Sequence, residues 1–267
     1  MNRSERPAHL GPAYASQFAD PSVVKAYAYR PPYPAEVFAI LLGLVSDRQR
    51  IVLDLGCGRG EIARGIVPDV DRVDAVDPSA AMIAAGRTLP GGDHPRLRWI
   101  CARGEDAPFD APYALAAAGN SLHWMEWAQL FPRLAAALSP GAYLAVVGVG
   151  SGPNPWDGQL RALIGKFSTN REFKPYDLIA ELEARGLFAR EGRRDVGPAP
   201  YERPVHEYIE SIHSQNGFSR DRMEPSAATA FDEQVHALVE PFAERGILHL
   251  TSVGEVTWGR PSDAGQA

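Results

Sequence analysis

The segment Val52-Leu53-Asp54-Leu55-Gly56-Cys57-Gly58-Arg59-Gly60-Glu61 sets three alternating glycines directly behind a short apolar run. Glycine lets a backbone approach a ligand closely, and a helix opening after the turn offers its free N–H groups. Asp54 stands two residues before the first glycine, at a strand's end, where a carboxylate can meet a cationic group. Asp77 closes the next apolar run, 21 residues after Gly56. That is the spacing for a carboxylate gripping a ribose diol. A nicotinamide-binding turn shares the ribose carboxylate, but its fingerprint is Gly-x-Gly-x-x-Gly. It has no use for an anion beside the turn, where a pyrophosphate would sit. The Asp-x-Gly-x-Gly-x-Gly order here favours a ligand carrying an amino group over one carrying phosphates.

These residues need a scaffold, and the sequence pattern supplies one. Apolar residues recur at helical spacing from Tyr33 to Ser46, and Ile51 to Leu53 reads as a buried strand. A short helix over 61–67, a strand over 73–76, a helix over 79–89 and a strand over 97–102 follow. Tyr113 to Ala118 is a strand of small residues, and Ala142 to Val149 is the most strand-like run. Between them the sequence predicts a helix over 126–138 that Pro132 should kink or begin, then a turn at Ser139-Pro140-Gly141. Later helices are expected over 160–167, 176–185, 205–216 and 226–245, with strands over 187–196 and 247–258. Strands alternating with helices at this spacing imply an α/β fold with a mostly parallel sheet covered on both faces. Ligands bind such sheets at the carboxyl ends of the strands, where every motif above falls.

The 267 residues suit one α/β core with a sizeable appendage. We divide them into an N-terminal arm (1–32) covering the active site, a cofactor-binding core (33–150) and a remainder (151–267). That remainder completes the sheet and supplies a helical lid from about 151–175 and 197–246. The first dozen residues read as a mobile tail. The net charge of −6 argues against a nucleic-acid partner. Two cysteines, Cys57 and Cys101, form neither a disulfide framework nor a zinc site, and no apolar leader or membrane-length run occurs. A soluble cytoplasmic protein, monomer or homodimer, is expected. His206 and His213 lack acidic or cysteine partners at metal spacing, so no metal is expected.

With these motifs the chain resembles the class I S-adenosylmethionine-dependent methyltransferases, which have a Rossmann-like fold with a seven-stranded sheet. The resemblance runs through the glycine segment, Val76-Asp77-Pro78-Ser79 with Met82, and Leu138-Ser139-Pro140-Gly141-Ala142-Tyr143-Leu144. It implies S-adenosylmethionine as cofactor, with Gly56 and Gly58 against its methionyl part and Asp77 on its ribose. Asp54 would help hold the ammonium, and Met82 would pack on the adenine beside Pro78. The segment from Ala102 to Phe109 resembles the adenine-contacting stretch. Many relatives have an acidic residue where Arg103 stands, so Gly104 backbone and the Glu105 side chain take that role here. Cys57 and Asn120 complete the cofactor set, and Arg30 would bind the cofactor carboxylate.

Asn120-Ser121-Leu122-His123-Trp124 lacks the Asn/Asp-Pro-Pro-aromatic signature of DNA amino-methyltransferases. Together with Tyr29-Arg30-Pro31-Pro32-Tyr33-Pro34 it resembles a small-molecule branch similar to trans-aconitate methyltransferases. His123 is the candidate base for a hydroxyl or carbon-acid acceptor, whereas a carboxylate would need none. Tyr14, Trp124, Trp156, Tyr208 and His213 are the candidate acceptor contacts. Two other readings stay open: a module that holds the cofactor without transferring methyl, and, on the shared ribose carboxylate, a nicotinamide oxidoreductase.

Overall fold

The computed structural model describes residues 10–45, 47–110 and 112–262. The arm contributes two short helices, α1 (Pro12–Ala15) and α2 (Pro21–Ala26), before α3 (Ala35–Leu44). The core then runs β1 (Ile51–Leu55), α4 (Glu61–Ile66), β2 (Arg72–Asp77), α5 (Ala80–Arg87), β3 (Leu97–Cys101) and β4 (Tyr113–Gly119). It continues with α6 (Trp127–Ala137), β5 (Leu138–Ser151), α7 (Asp157–Phe167) and α8 (Leu178–Ala184). The last elements are β6 (Phe188–Pro204), α9 (Val205–His213), α10 (Pro225–Val239) and β7 (Ile247–Pro261).

Alternation of side chains along the strands explains the layering. In β1, Leu53 and Leu55 face a core with Trp127, Phe131 and Leu134 of α6, while Val52 faces Val37 and Leu41 of α3 and Ile66 of α4. Both faces are therefore buried, as a mostly parallel sheet requires. The seven strands lie in the order β3-β2-β1-β4-β5-β7-β6, with β7 antiparallel to both its neighbours. Strand order reverses between β1 and β4, so the glycine turn after β1 and the Asn120 segment after β4 face each other across the crevice.

A third apolar cluster lies beyond the sheet, where Ile209 and Ile212 of α9 meet Phe231 and Val235 of α10 with Trp156 and Leu250. Among the described residues, no helix is long and apolar enough to cross a membrane.

The structure departs from the sequence expectations in four places. Helix α6 begins before Pro132 and continues past it as one helix, because the buried Trp127, Leu130, Phe131 and Leu134 pin both halves to the sheet. Ser139-Pro140-Gly141 lies inside β5, where Gly141 adopts φ 85° and the register with β4 shifts between Tyr113 and Leu115. The turn chemistry is absorbed as a bulge. Residues 197–204, expected in the lid, extend β6 and pair with β7 as far as Pro204 and Ile247. Gly197 and Pro198 are taken up as an irregularity in the register between Val196 and Ala199. Residues 1–9 of the expected mobile tail lie outside the described residues, and Leu10 is buried.

Candidate functional site

The glycine turn is shaped by what surrounds it. Gly56, Gly58 and Gly60 have φ of 64°, 56° and 75°, the left-handed region that costs other residues about 1–2 kcal/mol. A Cβ on Gly56 would sit 2.5 Å from Ser121 Cβ, and one on Gly60 would collide with the Trp99 ring. At Gly58 the nearest atom would be Tyr27 Cε1 at 3.7 Å. Gly56 and Gly60 are therefore required by packing as well as by backbone conformation. Gly58 alone would take a Cβ in ordinary contact, without a collision.

Two carboxylates frame the turn. Asp77 is 8% exposed and accepts backbone N–H bonds from Gly58 at 2.8 Å and from Ser79 at 2.8 Å. Burial nevertheless raises its pKa. Asp54 is 2% exposed and accepts the Ala63 N–H at 3.0 Å, within the first turn of α4. Burial, with the Glu61 and Asp77 charges nearby, pushes Asp54 up to about 7. A cation brought beside it would reverse that shift.

Opposite the turn, Asn120 takes φ 50° and its side chain bridges to Val149, donating to the carbonyl at 2.8 Å. Ser121 Oγ donates to the Leu55 carbonyl at 2.6 Å, tying the end of β4 to the end of β1. His123 follows in a single 3-10 turn over Leu122–Trp124, and its ring lies 4.8 Å from that of Trp124. Among the described residues, no hydrogen bond occupies either His123 ring nitrogen. Burial, assisted by the Arg30 charge, lowers its pKa to about 4. The imidazole is thus neutral at physiological pH and able to accept a proton.

Two cavities meet at this point. The smaller, about 300 Å³, is lined by Gly58, Asp77, Pro78, Met82, Gly104 and Glu105, with Ala15, Ser16, Phe18 and Ala19 of the arm as its roof. The larger, about 1110 Å³, is lined by Arg30, Asp54, Cys57, His123, Tyr208 and Asn216 among others. Phe18, Tyr27, Gly56, Asn120, Ser121 and Trp124 border both.

The structure therefore brings His123, Trp124, Tyr208 and all the sequence-predicted cofactor residues to two cavities that share lining residues. Several of their side chains are already engaged. Arg30 donates to Ser214 Oγ at 3.0 Å, to the Ser214 carbonyl at 2.7 Å and to Tyr27 Oη at 3.1 Å. The Glu105 carboxylate is held by the Arg103 guanidinium, and the Asn120 amide by Val149. Cys57 is an apolar filler whose thiol is pushed up by burial.

Three predicted acceptor contacts lie elsewhere. Tyr14 borders neither cavity and donates to Glu172 at 3.0 Å. Trp156 is buried in the third cluster, donating to Tyr208 Oη at 2.8 Å. His213 is 1% exposed, with its ring nitrogens 2.7 Å from the Phe218 carbonyl and 2.7 Å from Asp232. It joins α9 to α10. Helical spacing cannot tell which face of α9 meets the cavity and which meets α10, so the position of His213 in the sequence does not reveal that it faces α10. Conversely, Met125, Tyr27, Gln215 and Asn216 border the cavities without a sequence motif.

Residues 52–141 match a family described as a methyltransferase domain. That span runs from β1 into β5 and holds the glycine turn and Asp77. It is 27% identical over 113 residues to CRG1 of Saccharomyces cerevisiae, named for S-adenosylmethionine-dependent methyl transfer, covering 41% of this chain and 39% of that one. It is 33% identical over 128 residues to an uncharacterized methyltransferase, Rv3342, of Mycobacterium tuberculosis, covering 47% of this chain and 50% of that one. The chain spans half or less of the length of these curated relatives. A solved structure described as a type II methyltransferase from Anaeromyxobacter dehalogenans shares its fold. The TM-score is 0.60 and the identity 23%, over 86% of this chain and 97% of that one.

The matched description is that of a methyltransferase domain, and the lining of the two cavities fits S-adenosylmethionine. Gly58 and Asp77 line the smaller cavity, and Asp54 lines the larger one. Asp77 offers a carboxylate to ribose hydroxyls, Met82 an apolar wall to the adenine and Asp54 an anion to the ammonium.

Proposed function

We propose that the protein transfers the methyl group of S-adenosylmethionine to a small-molecule acceptor seated in the larger cavity, in the cytoplasm. The observation that carries this is the junction of the two cavities at Gly56, Asn120, Ser121 and Trp124. One volume carries the residues suited to an adenosine, and the other is left for the methionyl end and an acceptor. In this reading residues 1–32 act as a covering arm, 33–150 as the cofactor core, and the helices after 150 as the acceptor-side lid.

When bound, the cofactor supplies a methyl group already activated by its sulfonium. The protein's task is orientation and exclusion of water. Gly56 and Gly58 bring backbone close to the ligand, Asp77 holds the ribose and Asp54 the ammonium. Trp124, edge-on to Phe18 at 5.4 Å, closes the junction to solvent. His123 accepts the acceptor's proton at a ring nitrogen if the nucleophile is a hydroxyl or carbon acid.

Calorimetry with S-adenosylmethionine, S-adenosylhomocysteine and NAD tests the cofactor, and a labelled-methyl screen of small acids, phenols and amines tests the acceptor. Binding of the first two ligands but not NAD is expected. Silence toward both sulfur ligands would overturn the proposal.

A further inference from the structure

The roof of the smaller cavity is made from pieces too short to hold themselves. Helix α1 has 4 residues and α2 has 6, joined by a 3-10 turn over Ser16–Ala19. Isolated helices shorter than about 12 residues are marginal in water, so the position of this roof must be set from outside. The fastening comes from the connection between α9 and α10, about 200 residues away in the chain.

Arg222 in that connection grips the arm at three places. Its Nε donates to Asp20 Oδ2 at 2.6 Å and its Nη2 to Asp20 Oδ1 at 3.0 Å, a two-pronged pair. Its Nη1 donates to the Ala13 carbonyl at 3.0 Å, and its Nη2 also to Ser16 Oγ at 3.0 Å. Ser219 adds a bond to Asp20 Oδ2 at 2.6 Å. Asp20 occupies the N-cap position of α2, yet makes no side-chain cap bond to that helix. A residue type suited to capping its own helix is instead committed to a distant guanidinium. Gly217, in the same connection, donates its N–H to Gln17 Oε1 at 3.0 Å.

We propose that Arg222 and Asp20 are positioning residues for the cofactor, a latch that holds the segment from Ala15 to Ala19 down over the adenosine cleft. The inference rests on the cofactor reading above. Neither residue borders the cleft, so the pair acts through Ser16, Phe18 and Ala19, which do. Opening the latch leaves the floor at Asp77 and Met82 intact. Its effect therefore falls on how long the cofactor stays.

The test is the dissociation rate of S-adenosylhomocysteine, measured by stopped-flow for the parent chain, Arg222→Ala, Asp20→Asn and the double variant. Each single change is expected to raise the rate about tenfold, as loss of one charge-assisted pair would. The double variant should do no more than either single, because the two residues work as one unit. Arg222→Lys, which keeps the charge without the fork, should fall between parent and Arg222→Ala. If Arg222→Ala does not fold, Asp20→Asn decides. A merely structural pair would lower the melting temperature of the ligand-free protein and leave the dissociation rate alone. Rates within twofold of the parent, or effects that multiply in the double variant, overturn the latch. Failure of the parent chain to bind S-adenosylhomocysteine is a different result and removes the cofactor reading itself.

Discussion

The Gly58 backbone N–H donates to Asp77 Oδ2 at 2.8 Å, joining the turn after β1 to the end of β2. A second N–H, from Ser79, occupies Oδ1 at 2.8 Å, so the carboxylate is fixed in orientation with lone pairs left over for a ligand. The same residue therefore holds the glycine turn in place and faces the smaller cavity.

Asp77→Ala should lower S-adenosylhomocysteine affinity about 10- to 100-fold, the loss of one or two hydrogen bonds to a charged group. Asp77→Asn keeps an acceptor for one backbone donor and should lose less. Titration calorimetry separates the two, and equal affinities for parent and Asp77→Ala would end the ribose assignment.

Gly56 and Gly58 should respond differently to alanine. At Gly56 the new Cβ meets Ser121 at 2.5 Å and the backbone is left-handed, so the melting temperature should fall by more than the strain alone implies. Gly58→Ala carries only the strain of about 1–2 kcal/mol, a shift of several degrees. Its methyl projects toward the cofactor space, however, and cofactor affinity should drop. Scanning calorimetry with and without ligand reads both effects.

Cofactor binding should strengthen as pH rises through 7. Asp54, raised to about 7 by burial, holds a proton in the ligand-free protein below that pH and must release it to face an ammonium. Between the unfolded carboxylate range and pH 7 the folded state binds more protons than the unfolded chain. The ligand-free protein therefore loses stability from this group as pH rises through that window. Calorimetry at pH 6 in buffers of different ionisation heat should show proton release on binding, absent in Asp54→Asn.

For hydroxyl acceptors, His123→Ala should lower kcat by roughly 10²–10⁴ while cofactor affinity stays close to the parent's. Because the imidazole pKa is lowered to about 4, kcat at saturating cofactor should show no histidine limb near pH 6.5. For a carboxylate acceptor His123→Ala should cost little, so the same variant reports the acceptor class.

His213→Ala should destabilise the lid without touching the cofactor. It leaves the Phe218 carbonyl without its partner at a site 1% exposed, a loss of about 1–3 kcal/mol, while Asp232 keeps Arg220. Thermal denaturation should register the change, and S-adenosylhomocysteine affinity should not.

By itself the sequence determined the parts whose signals are local. Glycines at 56, 58 and 60 and the carboxylates at 54 and 77 are set by backbone conformation and by position at strand ends, so their order along the chain reveals the turn and the ligand class. The alternation of short apolar runs with helices likewise revealed the α/β sheet and its covered faces. Tertiary structure alone decided which side chains meet across long separations. It turned His213 toward Asp232 and away from the cavity, spent Arg30 on Ser214 and joined residues 197–204 to β7. It also brought Arg222 onto Asp20. Contacts between segments some 200 residues apart depend on how whole elements pack, and packing leaves no period or spacing in the chain to be read.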